Sequence, residues 1–462
     1  MWKSFFYRVT ARGRPASFLD VVAERLPKLT WLVDVGRSGA RLYRGPWVES
    51  RADWFAEGAW AGDFSNTGLL NSVFRCCSGG VLTDDGLVFT PPSHSLEAIY
   101  CFRYSSDPRW LVSNSFACIL GAEPSARMGQ SDFRRVIDRA ATIMSGSEAY
   151  ERLLYQTSNG AMYRMAFSPF RIGLSLSSPF ELEGARLKSR FRDFAGYFDR
   201  LVSTARSVGQ NAAAPARHHP FSRLVSSISA GYDSPTTTAI AKTLGTVETV
   251  TLTTGRGGTD DSGHGLAEMM GLQCHPYPRF ASGLEQMGER RDFFLNPGDC
   301  DLTTLPEVDA FLASLVTVED AVFAPFVPHL PASLYFTGFH GDKIWSMKPP
   351  AERVIERGDN SGSGLDEVRK RLGFVHVPLA FVDATRSRRV GKISNSREMA
   401  PFSVGGAYDR PIPRRIVEST GVPRDAFGRR KSMGSVLLRL SPERRYEFNM
   451  ALADRYAGSL PL

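Results

Sequence analysis

One stretch constrains this chain more than any other: residues 224–245, LVSSISAGYDSPTTTAIAKTLG. LVSSIS has the length and apolar character of a strand, and SPTTTAIAKTLG reads as a helix that stops at Gly245. Between them lies Ser229-Ala230-Gly231-Tyr232-Asp233-Ser234. A turn of small residues lets backbone N–H groups approach a phosphate. The helix that follows presents its positive N-terminal end at the same place. Ser229 and Ser234 offer hydroxyls, and Asp233 offers a carboxylate for a magnesium ion. The competing reading is a plain strand-to-helix turn in which Asp233 caps the helix. The lysine-bearing Walker loop and the dinucleotide GxGxxG pattern are both absent, which excludes a GTPase-type site and a dinucleotide fold.

The alternation continues downstream, with TVETVTLTT (246–254) as a second strand and HGLAEMMG (264–271) as a second helix. Strand–helix repetition of this kind predicts βαβ units on a parallel sheet. Residues 1 to about 180 carry a different pattern. Short apolar runs recur between turn signals, including GGVLTDDGLVF (79–89) with a hairpin turn at Asp84-Asp85-Gly86, LEAIYCFRY (96–104), RWLVSNSFACIL (109–120) and a hairpin within 162–178. Helical pieces are expected at about 15–26 and 132–155, giving an α+β layer domain on antiparallel sheet. A helix is predicted over 183–209 from Phe191, Phe194, Tyr197, Phe198 and Leu201. GQNAAAPARHHPFSR then reads as a linker, with His218 and His219 as solvated residues, and DNSGSGLD (359–366) reads as a mobile loop.

A length of 462 residues makes two domains the prior expectation. The boundaries drawn are 1–208, a linker at 209–222, and 223–462. Lysine and arginine exceed aspartate and glutamate by 56 to 48, so the chain carries +8, a balance suited to anionic ligands such as nucleotide phosphates. Six scattered cysteines with no CxxC pair exclude a zinc ribbon and a disulfide scaffold. No apolar run reaches the roughly 18 residues of a spanning helix, and the N-terminus lacks the apolar core of a secretory signal. The expectation is a soluble cytoplasmic protein without a membrane partner.

The loop 229–234 resembles the pyrophosphatase loop, S-G-G-x-D-S, of the ATP-pyrophosphatase (PP-loop) superfamily, with Ala230 in place of its first glycine. Downstream pieces resemble the asparagine-synthetase-like branch, which includes β-lactam synthetases and lasso-peptide cyclases. Ser333-Leu-Tyr-Phe-Thr337-Gly338-Phe339-His340-Gly341-Asp342 is similar to that branch's strand followed by S-G-x-G-x-D, and GVPRDAFGRRKSMGS (421–435) is similar to its C-terminal R-x-K segment. The resemblance implies an adenine-nucleotide α-hydrolase-like, doubly wound parallel sheet at the C-terminal end. It also implies a degenerate glutamine-amidotransferase-like domain, an amidohydrolase-type antiparallel sandwich, at the N-terminal end. It implies ATP contacts at Ile228, Ser229, Gly231, Tyr232, Asp233, Ser234, Leu252, Thr337 and Gly338, and magnesium at Asp233 and Asp342. Asp260 and Asp261 fall in a loop that often bears a carboxylate in the family. Lys431 matches the lysine that stabilises charge as the substrate reacts.

The implied chemistry is ATP-dependent amide formation. A carboxylate attacks the α-phosphorus of ATP, pyrophosphate leaves, and an amine takes the acyl group. Glutamine-using relatives begin with a catalytic cysteine after the initiator methionine. Here residue 2 is Trp2, a side chain too bulky for the usual removal of Met1, so no glutaminase activity is expected. Phe339 stands where relatives carry Glu or Tyr and cannot take a proton; His340 is the candidate base, with a packing role as the alternative. Lys343 replaces an acidic residue. Tyr408 with Asp409 forms a weaker proton-handling candidate, expected instead to fix the C-terminal helices. The basic run Arg386, Arg388, Arg389 and Lys392 either meets an anion or forms a solvated face. The expected partners are a small-molecule or peptide carboxylate and an amine, with a precursor peptide or biosynthetic partner protein in the peptide case. Intramolecular lactam or peptide cyclisation fits the missing cysteine. The alternatives are ammonia-dependent amidation of a small acid or sugar acid, a tRNA-modifying enzyme of the superfamily, and a catalytically decayed ATP-binding scaffold.

Overall fold

The computed structural model describes residues 17–37, 39–173, 180–181, 191–255, 258–278, 307–348, 360–406, 408–429 and 440–460. The N-terminal half is built from β1 (Leu19–Val22), β2 (Trp31–Gly36), β3 (Gly39–Arg44), β4 (Glu49–Ser50), β5 (Trp54–Trp60), β6 (Arg75–Thr83), β7 (Gly86–Thr90), β8 (Ile99–Tyr104), β9 (Trp110–Ser113), β10 (Leu153–Gln156), β11 (Gly160–Met165), β12 (Phe170–Gly173) and β13 (Phe180–Glu181). Its helices are α1 (Asn66–Leu70), α2 (Phe116–Ala122), α3 (Gln130–Ala141) and α4 (Phe194–Ala212). The strands form two sheets among the described residues, ordered β1-β3-β2-β9-β8-β11-β10 and β13-β12-β7-β6-β5-β4. All pairs are antiparallel except β1 with β3.

Strand periodicity sorts the apolar side chains between two cores. Trp31, Val33, Ile99 and Cys101 meet Phe55, Leu87, Phe89 and Phe170 of the second sheet, which makes the pair a sandwich. Leu32, Tyr100 and Phe102 point the other way, into a cluster with α2 and α3. On the outside of the second sheet, Ala59 and Cys76 pack against Tyr197, Leu201, Ala205 and Val208 of α4. The layers run helix, sheet, sheet, helix.

Several local expectations change here. The hairpin at Asp84-Asp85-Gly86 forms as expected, joining β6 to β7. Leu19–Val22 is a strand where a helix was expected. FACIL in 109–120 is helical because Ser115 caps Cys118 N–H; buried on every side, this helix shows no 3.6-residue period. The helix expected over 132–155 ends at Ala141, and Leu153–Gln156 is a strand. Residues 162–173 do not form a hairpin: β11 pairs with β8, whereas β12 crosses to β7 in the other sheet. The chain changes sheets at Phe167, which has φ 66°.

The C-terminal half carries β14 (Arg223–Ser227), α5 (Asp233–Lys242), β15 (Val247–Leu252), α6 (His264–Met269), β16 (Gln273–Tyr277), α7 (Val308–Leu312), β17 (Ser333–Thr337), α8 (Gly341–Ile344), α9 (Leu365–Leu372), β18 (Val375–Pro378), α10 (Ser387–Ser394), α11 (Pro411–Glu418) and α12 (Pro442–Ala457). The five strands are all parallel, in the order β16-β15-β14-β17-β18. Leu224, Leu334, Phe336 and Val375 face α4 and α5. Val225, Val250, Tyr335 and Phe374 face α7, α9 and a 3-10 segment, Glu319–His329. Both faces are covered, as a parallel sheet requires. The chain proceeds outward from β14 to β16, then returns to the other side of β14 as β17. The carboxyl ends of β14 and β17 therefore form a topological switch point, where open α/β sheets bind ligands.

The two halves interlock. Residues 209–212, assigned from sequence to the linker, are the last turn of α4. Leu452, Ala453 and Tyr456 of α12 pack in the N-terminal helical cluster, although α12 lies at the far end of the chain. A Cβ at Gly121 would sit 2.4 Å from the Ala453 carbonyl, so α2 and α12 cross in close contact. Arg369 of α9 is fully buried between Glu57 and Glu97 of the N-terminal half. No described helix is long and apolar enough to cross a membrane.

Candidate active site

The loop after β14 and the loop after β17 meet at the switch point. A Cβ on Gly338 would lie 2.5 Å from the Ser234 amide nitrogen, and one on Gly341 would lie 2.5 Å from Asp233 Oδ1. Only glycine permits this approach, because each contact is nearer than any real Cβ comes. The segment bearing Asp342 is thereby pressed against Asp233. A third loop closes in from β15: a Cβ on Gly263 would meet Ile228 and Ser229 backbone at 2.6–2.7 Å.

The three loops surround a cavity of about 220 Å³. Ile228, Ser229, Gly231, Tyr232, Asp233, Ser234, Leu252, Gly338, His340 and Asp342 all line it, as expected from sequence. Its apolar wall adds Val250, Phe323, Phe326, Tyr335 and Phe339. Ser229 Oγ and Ser234 Oγ are 2.9 Å apart, and Gly231 N–H donates to Ser229 Oγ at 3.3 Å. Ala230 is not among the residues with positive φ, so its methyl group introduces no backbone strain. Ala230 N–H donates to the Asp261 carbonyl, while its own carbonyl accepts from Gly428 N–H at 2.8 Å. The Tyr232 phenol donates to the Tyr408 carbonyl at 3.0 Å and accepts from Arg414 at 2.9 Å. The turn is anchored from both sides by backbone bonds and buried side chains.

His340 has φ 74°, a conformation that disfavours any residue but glycine. Its ring stacks on Phe381 with centroids 4.6 Å apart and an angle of 14°. It is buried, yet it faces the cavity. Such strain is retained where surrounding structure over-determines it, and it concentrates at functional sites.

Some sequence expectations are not met. Thr337 does not line the cavity; it is buried, with Oγ1 2.7 Å from His376 Nε2. Thr337 shares a strand face with Tyr335, two residues before it, but its hydroxyl is engaged with His376 of the neighbouring β18. Asp260 turns its carboxylate to Ser262 N–H, whereas Asp261 lines the cavity. Arg388, Arg389 and Lys392 are exposed on α10 and do not line it. Lys431, Trp2 and Cys300 lie outside the described residues.

Other contributors were ranked too low or overlooked. Tyr408 lines the cavity, and its hydroxyl would lie 3.5 Å from a Cβ on Gly231. Burial, reinforced by the Asp233 charge, pushes its phenol well above the usual range, so it remains a hydrogen-bond donor at neutral pH. Asp409 instead holds the turn before it, accepting from Gly405 N–H at 3.0 Å. Arg410 donates to the Asp342 carbonyl at 3.1 Å and fixes that loop. Ser361, in the stretch expected to be mobile, lines the cavity, and Asp320 fastens its neighbours by accepting from Gly362 and Gly364 N–H at 2.8 and 2.7 Å. Phe323 and Phe326 lie in AVFAPFVPH, whose prolines erase any period a sequence reading could use.

No protein-family model matches the chain, and no curated protein matches it.

Proposed function

We propose that this protein is an ATP-dependent, AMP-forming carbon–nitrogen ligase, similar in its logic to asparagine-synthetase-like enzymes. The observation that carries the reading is the convergence of the loops bearing Asp233 and Asp342 on one cavity at the switch point of the parallel sheet. The donor set fits magnesium, a hard cation that takes carboxylate and phosphate oxygens. Asp233 and Asp342 would hold it, and its chemistry there is to neutralise phosphate charge. The serine-flanked turn and the N-terminus of α5 suit the triphosphate. Leu252, Val250, Phe323 and Phe326 form an apolar wall suited to a purine ring.

In this reading a substrate carboxylate attacks the α-phosphorus of ATP, the bond to the β-phosphate oxygen breaks, and pyrophosphate leaves. The amine then attacks the acyl carbon, loses a proton, and AMP departs. His340 is the candidate acceptor of that proton, and Lys431 the candidate cation for the developing negative charge. The amine comes from the substrate itself or from a free small molecule. Among the described residues, Cys76, Cys77, Cys101 and Cys118 are all buried, and burial raises every one of these thiols, which suits no glutaminase nucleophile. Two sheets between helical layers then serve as scaffold, the expected fate of an amidohydrolase-type domain without its nucleophile. A soluble, cytoplasmic setting suits the ATP requirement.

The test is exchange of radiolabelled pyrophosphate into ATP over a panel of carboxylic and amino acids. Exchange with one class of acid, lost at least 100-fold in Asp233→Asn and Asp342→Asn, is the expected result. Measurable ATP binding with no exchange for any acid overturns the proposal.

A further inference from the structure

Away from the cavity, three segments bring together a second set of chemically capable side chains. Glu248 lies near the start of β15, His275 on β16, and His329 at the end of the 3-10 segment Glu319–His329. One donor atom from each lies within 4.8 Å of the others. Glu248 Oε1 is the shared focus: His275 Nε2 is 3.3 Å from it, and His329 Nδ1 bonds to it directly. The histidine rings stand 4.4 Å apart, centroid to centroid. All three side chains are partly buried.

We infer that Glu248, His275 and His329 form a binding site for a divalent transition ion of the zinc class. Two imidazoles and one carboxylate are the donors zinc takes, at about 2.0–2.2 Å. Around a tetrahedral ion at that range, neighbouring donors lie roughly 3.3 Å apart, which matches the 3.3 Å between His275 and Glu248. The His329–Glu248 hydrogen bond occupies the place where the ion enters. With Nδ1 on the ion, His329 carries its proton on Nε2, 2.6 Å from the Tyr277 hydroxyl. Arg223 donates to the other oxygen, Glu248 Oε2, at 2.7 Å and leaves Oε1 facing the histidines. An outer partner on a ligand's far atom, orienting it and setting its tautomer, accompanies protein metal sites generally. Solvent fills the remaining position.

The ligands tie two strands to the segment that bears Phe323 and Phe326. From Glu248 to Val250 and Leu252, which line the cavity, β15 rises about 7 and 13 Å. The ion therefore acts as a clamp behind the cavity's apolar wall, beside Val250, the register partner of His275. Nothing in this assignment depends on the ligase reading.

The experiment uses the full chain without a histidine tag. Zinc is titrated against a chromophoric chelator, and cobalt is added separately to the metal-free wild type. One equivalent of zinc at sub-micromolar Kd, together with the intense visible bands of four-coordinate cobalt, is expected. Affinity falls at least 30-fold in His275→Ala and in His329→Ala, and stays unchanged in His264→Ala, whose half-buried histidine pairs with Glu268 away from the cluster. Zinc also raises the thermal midpoint of the wild type and not that of the two ligand variants. Absence of both the zinc equivalent and the cobalt bands in the wild type overturns the assignment and leaves a hydrogen-bonded Tyr-His-Glu-His cluster. Equal zinc uptake by the His275→Ala/His329→Ala double variant overturns it as well. The cobalt spectrum needs no variant, so a substitution that fails to fold does not blunt the test.

Discussion

Replacing Arg369 with methionine tests what joins the two halves. Arg369 is 1% exposed and donates to Glu57 at 2.6 and 2.7 Å and to Glu97 at 2.7 Å. Burial works to raise the Glu57 carboxyl, but the Arg369 charge outweighs it and holds that group below the usual range. Burial pushes Glu97 up to about 7 even with Arg369 beside it. Methionine fills most of the volume but strands two carboxylates in the interior. Removing one partner of a buried ion pair costs about 3–5 kcal/mol. With an m-value of roughly 3 kcal/mol/M, about 4 kcal/mol lowers the urea midpoint by about 1.3 M. The buried Trp31, Trp60, Trp110 and Trp345 report unfolding by fluorescence.

The pH dependence carries the sign. Without Arg369 both folded-state carboxyl values rise above their unfolded values. The folded variant then binds more protons than the unfolded chain, and its stability falls as pH rises through that window. The deficit against wild type is largest at pH 8 and smallest near pH 5. Adding Glu57→Gln and Glu97→Gln to Arg369→Met recovers most of the loss, because neither carboxylate is then left buried without its cation. A deficit below about 1 kcal/mol at pH 8, or one equal at pH 5 and pH 8, refutes the reasoning.

Three further substitutions probe the cavity. Gly338→Ala sets a methyl group 2.5 Å from the Ser234 amide nitrogen and spreads the two loops; ATP affinity by calorimetry is expected to fall at least tenfold, and unchanged affinity rejects the contact as a determinant of the site. His340→Gly relieves a backbone conformation that costs about 1 kcal/mol while losing the stack on Phe381; turnover is expected to fall about 100-fold or more with ATP affinity retained, and normal turnover removes His340 from the chemistry. Tyr408→Phe deletes a hydroxyl beside the 229–234 turn; a 5- to 10-fold higher KM for ATP corresponds to about 1 kcal/mol for one lost hydrogen bond, and an unaltered KM places that hydroxyl outside the bound state.

Local sequence determined the strand–turn–helix at 224–245, since strand composition, small turn residues and a helix stop all agree within 22 consecutive positions. It also determined that Ser229, Asp233 and Ser234 share one turn. The parallel sheet followed from repetition of that unit. In the N-terminal half antiparallel sheet and the hairpin at Asp84-Asp85-Gly86 were legible in the residues, but not how the strands divide between two sheets. Which sheet received β12 depended on a change of direction at Phe167, and a two-residue alternation reads the same in either sheet. For Thr337 a motif names only the position along the chain, whereas the neighbouring strand supplies His376, the partner its hydroxyl takes. Tyr408, Ser361, Phe323 and Phe326 come from segments between 89 and 174 residues beyond the 229–234 turn, and α12 returns to the opposite half of the molecule. Their placement follows from burial of apolar faces that no single segment can bury alone. Short-range patterns specify turns and helix ends through backbone conformation; long-range packing specifies which side chains meet.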